Sequence, residues 1–116
     1  MRLRHTVAAA LGALALAVTL PAASAQAATG SFTYLIDAPD GAVRVGTLAD
    51  PPTGVCVTLP EVAQEWVAPA HTPRNDTSDF ATVFTGPGCD GDSFTLRPHG
   101  GHATERLKFR SVLFLP

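Results

Sequence analysis

From Thr29 onward, apolar and polar positions alternate in short bursts, and glycine, proline or aspartate closes each burst. No window sustains a 3.6-residue apolar period over the length a core helix needs, so the pattern predicts strands joined by turns. Ser31 to Ile36, rich in aromatic and β-branched residues, is the first strand. Asp37 to Gly41 turns it: Pro39 presets φ, Asp40 bonds its own backbone and Gly41 accepts positive φ. Ala42 to Leu48 alternates in part, Asp50-Pro51-Pro52-Thr53-Gly54 turns the chain again, and Val55 to Leu59 is a short strand ended by Pro60. Phe80 to Thr85 and Ser93 to Arg97 read as two strands around the glycine-rich turn Gly86 to Gly91. Pro98 to His102 is a loop, and Ser111 to Leu115 is a last strand. Arg106-Leu107-Lys108-Phe109-Arg110 alternates strictly, which predicts three cations on a solvated strand face and two apolar residues beneath.

The segment between Pro60 and Asp79 differs from its surroundings, with three prolines and the polar run Arg74 to Asp79. It reads as a connection. Proline suits the first position of a helical turn and Glu61 suits its positive end, so a short turn is expected from Pro60 toward Trp66. Trp66, the only tryptophan, reads as a cap on the core, with ligand contact as the alternative. Asn75-Asp76-Thr77 matches a glycosylation sequon.

Comparison of the two halves shows a repeat. Tyr34 stands seven residues before Gly41, as Phe84 stands seven before Gly91. Ser93 follows Gly91 by two positions and Leu96 by five, while the position five after Gly41 is Gly46. Val55 to Pro60 and Ser111 to Pro116 both end in Leu-Pro. The repeat divides residues 26–116 into motif 1 at about 31–60, a linker at 61–79 and motif 2 at about 80–116. Two units that cannot bury their apolar faces alone are expected to pack as a sandwich.

The aromatic, the glycine, the hydroxyl and apolar positions after it, and the closing Ser111-Val112-Leu113-Phe114 resemble the βγ-crystallin motif of small secreted bacterial proteins. That resemblance implies an all-β fold of two Greek-key motifs packed as a βγ-crystallin-like sandwich. It also implies motif roles for Tyr34, Gly41, Phe84, Gly91, Ser93, Leu96 and Ser111, with the Ser93 hydroxyl tying down the folded hairpin turn. Calcium-binding members of the family carry paired Asp or Asn ahead of the closing serine. Here Arg106 to Arg110 precede Ser111, so hard-cation ligands are missing and no metal or cofactor is expected.

Composition and charge narrow the picture further. Residues 1–25 have the plan of a secretory signal peptide: basic Arg2 and Arg4, an Ala- and Leu-rich run from Val7 to Leu20, and small residues before cleavage at Ala25, with cuts up to Ala28 open. Its removal leaves six Lys or Arg against ten Asp or Glu. That balance argues against nucleic acid, whose phosphates need a basic face, and against a membrane surface. The exported chain of about 90 residues is one domain with a small core, expected as a monomer. Cys56 and Cys89 are expected to pair, closing a loop of about 34 residues for on the order of 3–4 kcal/mol.

Candidate chemistry is sparse. Asp92, Ser93 and His99 lie close in sequence, but nothing resembles a nucleophile elbow, and a triad is defined by geometry rather than adjacency. His99 and His102 read as exposed loop histidines, with zinc or copper ligation together with His71 as the alternative. The expected role is therefore non-enzymatic: a secreted scaffold binding a macromolecular target through its loops, and the resemblance, which covers peptidase inhibitors, implies an extracellular peptidase as that target. Asp50, Pro51, Pro52, Thr53, Gly54 and Trp66 are the candidate contacts. Because the resemblance also covers killer-toxin-like proteins, an antimicrobial role is an alternative, as is a structural extracellular one.

Overall fold

The computed structural model describes residues 26–116, and the expected signal peptide lies outside them. Nine strands form: β1 (Gly30–Asp37), β2 (Val43–Ala49), β3 (Cys56–Thr58), β4 (Ala70–Thr77), β5 (Phe80–Phe84), β6 (Ser93–Leu96), β7 (Gly101–His102), β8 (Lys108–Phe109) and β9 (Ser111–Leu115). They make two antiparallel sheets. One runs β2-β1-β4-β7, with β8 also paired to β4; the other runs β3-β9-β5-β6. Each sheet borrows at its edge from the opposite half of the chain: β3 joins the second sheet, and β7 with β8 join the first.

Alternation along the central strands builds the core. Phe32 and Tyr34 of β1, Ala81 and Val83 of β5, and Val112 and Phe114 of β9 turn inward and are buried. Phe32 meets the rings of Phe109 and Phe114 edge-on at centroid distances of 6.1 and 5.5 Å, and lies 6.1 Å from Tyr34. These separations suit the positive edge of one ring against the negative face of another.

One expectation is overturned here. The segment 61–79, read as a linker, contains β4, the strand between β1 and β7. The counterpart of β9 is accordingly β4 and not β3, because β4 lies against β1 as β9 lies against β5. Apolar alternation does not reveal β4, since its buried positions are Ala70, His71, Pro73, Asn75 and Thr77. Its inward polar groups are satisfied by hydrogen bonds instead. Pro73, which has no N–H to give, falls where the β1–β4 register shifts, and Thr72 beside it takes φ 52°. Asn75 is fully buried, so the folded chain cannot present the sequon at 75–77 to a glycan.

Gly46, where the repeat pattern calls for an aliphatic residue, is also explained. It sits opposite Tyr34 across the β1–β2 ladder, and the Tyr34 ring occupies the space a Cβ at 46 would need. The Tyr34 hydroxyl donates to Glu61 Oε1 at 2.9 Å. Burial, then the bond to Glu61 and its negative charge, push the phenol well above its ordinary range. Above about pH 10 the unfolded chain loses this proton while the folded chain keeps it, so ionisation favours unfolding. Denaturant midpoints are expected to show no contribution from Tyr34 below that pH and a decline above it, and Tyr34→Phe should shrink the decline.

Candidate functional site

The chain leaves β3 through Leu59 and enters a single 3-10 turn, Pro60–Val62, with proline at its start. Val62 is buried and Val67 is half-buried against the core, so the loop is fastened at both ends by apolar side chains. Between them Trp66 is 84% exposed. The expectation that Trp66 caps the core is thus corrected, because Val62 and Val67 fill that position.

Arg110 fixes the loop's shape. Its guanidinium donates from Nη1 to the carbonyls of Val62 (3.0 Å) and Gln64 (2.7 Å), and from Nη2 to that of Glu65 (3.3 Å). The arginine is itself anchored, with its N–H on Phe84 O and its carbonyl accepting from Leu59 N–H. A planar, permanently charged donor fork suits three converging carbonyls, and charge-assisted bonds are stronger than neutral ones. The expected face of three solvated cations is therefore reduced: Arg106 and Lys108 are exposed, and Arg110 is a loop clamp. Strict alternation misled because β8 is only two residues long and the chain bends at Arg110.

The other candidate loop is a seam. Asp50, at φ 44°, accepts the Gly30 N–H on its carboxylate and gives its own N–H to Gly30 O. Pro51 is buried, with its carbonyl accepting from Ala28 N–H. The Thr53 hydroxyl donates to Asp79 Oδ2 at 2.7 Å, and Gly54 N–H donates to Phe114 O at 2.8 Å. Pro52 and Gly54 remain exposed.

Cys56 and Cys89 form the expected disulfide, which ties edge strand β3 to the turn between β5 and β6. That turn is held by groups other than Ser93. The Ser111 hydroxyl accepts from Cys89 N–H and donates to Gly86 O, the Thr85 hydroxyl accepts from Asp92 N–H, and Asp90 accepts from Gly88 N–H. Ser93 lies exposed on β6, so the hydroxyl role assigned to it belongs to Ser111 and Thr85. Gly41 and Gly91 take φ of 85° and 83°, as their turns require. Tyr34 and Leu96 are buried, and Phe84 is half-buried on the outer side of β5.

His71, in the segment read as a connection, is a buried strand residue of β4. Its ring lies 3.1 Å from Asp37 Oδ1 and 2.8 Å from the Thr72 hydroxyl. His99 and His102 are exposed, and His102 Nδ1 lies 3.0 Å from Gly100 O. Among the described residues, no hydrogen bond joins Asp92, Ser93 and His99, and no group of three or more His, Cys, Asp or Glu is placed to hold a metal ion.

Fold and site together define a small all-β protein of two antiparallel sheets, stapled by one disulfide, with a clamped loop that presents a tryptophan. Comparison with family models, curated proteins and solved structures returns no match.

Proposed function

We propose that this chain is a secreted, non-enzymatic protein of two Greek-key motifs in a βγ-crystallin-like sandwich, and that it binds an extracellular peptidase through the Trp66 loop. The fold assignment is supported by the edge-strand exchange between the two halves and by the matching places of β4 and β9. The observation that carries the function is the exposed Trp66 on a loop whose backbone Arg110 already orders. Tryptophan is enriched among residues that dominate binding energy, and ordering the loop in advance lowers the entropy lost on association. The disulfide and the Asp50–Gly54 seam make the surrounding scaffold rigid.

An equimolar amount of residues 26–116, which contain both sheets and the disulfide, should slow at least one member of a panel of metallo- and serine peptidases and survive digestion. Trp66→Ala should weaken that inhibition at least tenfold while leaving the denaturation midpoint unchanged, since an exposed side chain adds little to stability. Absence of inhibition across the panel would reject the peptidase. Equal inhibition by Trp66→Ala would reject the loop.

A further inference from the structure

The first sheet ends in a long edge strand that carries a single charge. β2 spans seven residues and, among the described residues, pairs only with β1. The other strands at sheet edges are shorter: three residues in β3, four in β6, and two each in β7 and β8. The β1–β2 register, bounded by Ala38 N–H to Ala42 O at one end and Asp50 N–H to Gly30 O at the other, fixes which way the backbone groups point. Arg44, Gly46 and Leu48 bond to β1, whereas Val43, Val45, Thr47 and Ala49 direct their N–H and C=O groups outward. Natural edges are protected by lysine, proline, bulges or an inward charge. Val-Arg-Val-Gly-Thr-Leu-Ala has no lysine or proline and its ladder with β1 runs without a bulge; its one charge, Arg44, is on the inner face by register and pairs with Asp40 at the hairpin tip, so Val45 to Ala49 carry none.

Beside the inner face of this edge lies a depression of about 230 Å³, between the β1–β2 hairpin and the Trp66 loop. Ile36, Val62 and Val67 give it apolar walls, and Asp37 and Glu61 bring carboxylates to it. Arg44 also borders it, with its guanidinium 3.5 Å from Asp40 at the hairpin tip. A strand added to β2 sends alternate side chains to the inner face, toward this depression. The side chain that fits both wall and carboxylates has an apolar stem and a cationic tip.

We infer that the β2 edge docks an extended segment of a protein partner as an additional strand, with a lysine or arginine side chain of that segment in the depression. Main-chain bonds supply affinity and the depression supplies selectivity, as in other strand additions. The excess of ten acidic over six basic residues in 26–116 favours the same partner charge. The inference rests on the binding role proposed above and names the chemistry of the partner's contact segment.

The test titrates ¹⁵N-labelled residues 26–116 with synthetic heptapeptides Thr-Val-Thr-X-Thr-Val-Thr, with X lysine, leucine or glutamate. Saturable shifts are expected in the amides of residues 43–49 and 61–67, with the lysine peptide at least tenfold tighter than the glutamate one. Val45→Pro removes an outward N–H without touching the β1 ladder, so it should keep the fold and lose peptide binding at least thirtyfold, whereas Val45→Thr should bind as the parent does. The proposal is overturned by the absence of saturable shifts in β2 with every peptide, by equal binding of the glutamate peptide, or by a Val45→Pro chain that folds and binds as well. A concentration-dependent dimer abolished by Val45→Pro, without peptide binding, also overturns it and gives the edge to a second copy. If Trp66→Ala weakens peptidase inhibition while Val45→Pro leaves both it and the peptide titration unchanged, the edge proposal fails and the loop reading stands.

Discussion

Asn75→Leu is expected to destabilise the folded chain by about 3–5 kcal/mol, a large part of the roughly 5–15 kcal/mol that holds a small domain together. The side-chain amide of Asn75, fully buried, donates to the carbonyls of Asp79 (2.8 Å) and Arg97 (3.0 Å), with Leu96 O at 3.3 Å. Its oxygen accepts from the Thr77 hydroxyl at 2.7 Å and from Thr77 N–H at 3.2 Å. One side chain on β4 thus satisfies backbone groups at the start of β5 and the end of β6, linking the two sheets through polar contacts. Leucine removes the donors and the acceptor at once and leaves several buried polar groups unpaired, each costing about 1–3 kcal/mol. Asn75→Asp keeps the shape but loses the donor, so it should also destabilise, and more so at neutral than at acid pH because a buried carboxylate charge adds its own penalty. Urea denaturation of the three chains measures both effects.

Gly46→Ala should cost about 2–3 kcal/mol, and Gly46→Val at least as much, because overpacking a filled site forces neighbouring groups apart. The space a Cβ would enter belongs to Tyr34. That ring cannot swing away easily: its hydroxyl is held by Glu61, and its plane meets Phe109 edge-on at 6.2 Å. If ring occupancy is the cause, Tyr34→Ala should make Gly46→Ala cheaper, and a double-mutant cycle should return a coupling of about 1–2 kcal/mol. Additive costs would mean that glycine is needed at 46 for another reason.

Seven of the nine strands of the described residues are legible in the sequence, because aromatic, β-branched and leucine residues such as Phe32, Val83 and Phe114 cluster in short runs and the turns are marked by Gly41 and Gly91. β4 was hidden for a physical reason. It lies between two neighbours, yet its inward positions are polar or proline, and hydrogen bonding by Asn75 and Thr77 replaces the apolar contacts that produce a period of two. β7, two residues within a loop that carries its own glycine signals, left no pattern either. The disulfide followed from two cysteines and the expectation of export. The site was half visible: Trp66 stood out as the single tryptophan, but its exposure depends on Val62 and Val67 occupying the core beneath it. The Arg110 clamp joins residues more than forty positions apart through backbone carbonyls, which any sequence would offer.

Because Trp66 is the only tryptophan, its fluorescence reports directly on the loop. The decisive measurement is a titration of the 26–116 chain with whichever peptidase of the panel it slows, following Trp66 emission against the peptidase alone, alongside affinities for Trp66→Ala and Arg110→Ala. Burial of Trp66 predicts a blue shift that saturates at one-to-one stoichiometry and a loss of at least tenfold for Trp66→Ala. Freeing the loop predicts a smaller loss, roughly three- to tenfold, for Arg110→Ala. Emission that stays solvent-like at saturation, with Trp66→Ala binding as tightly as the parent chain, would contradict the account.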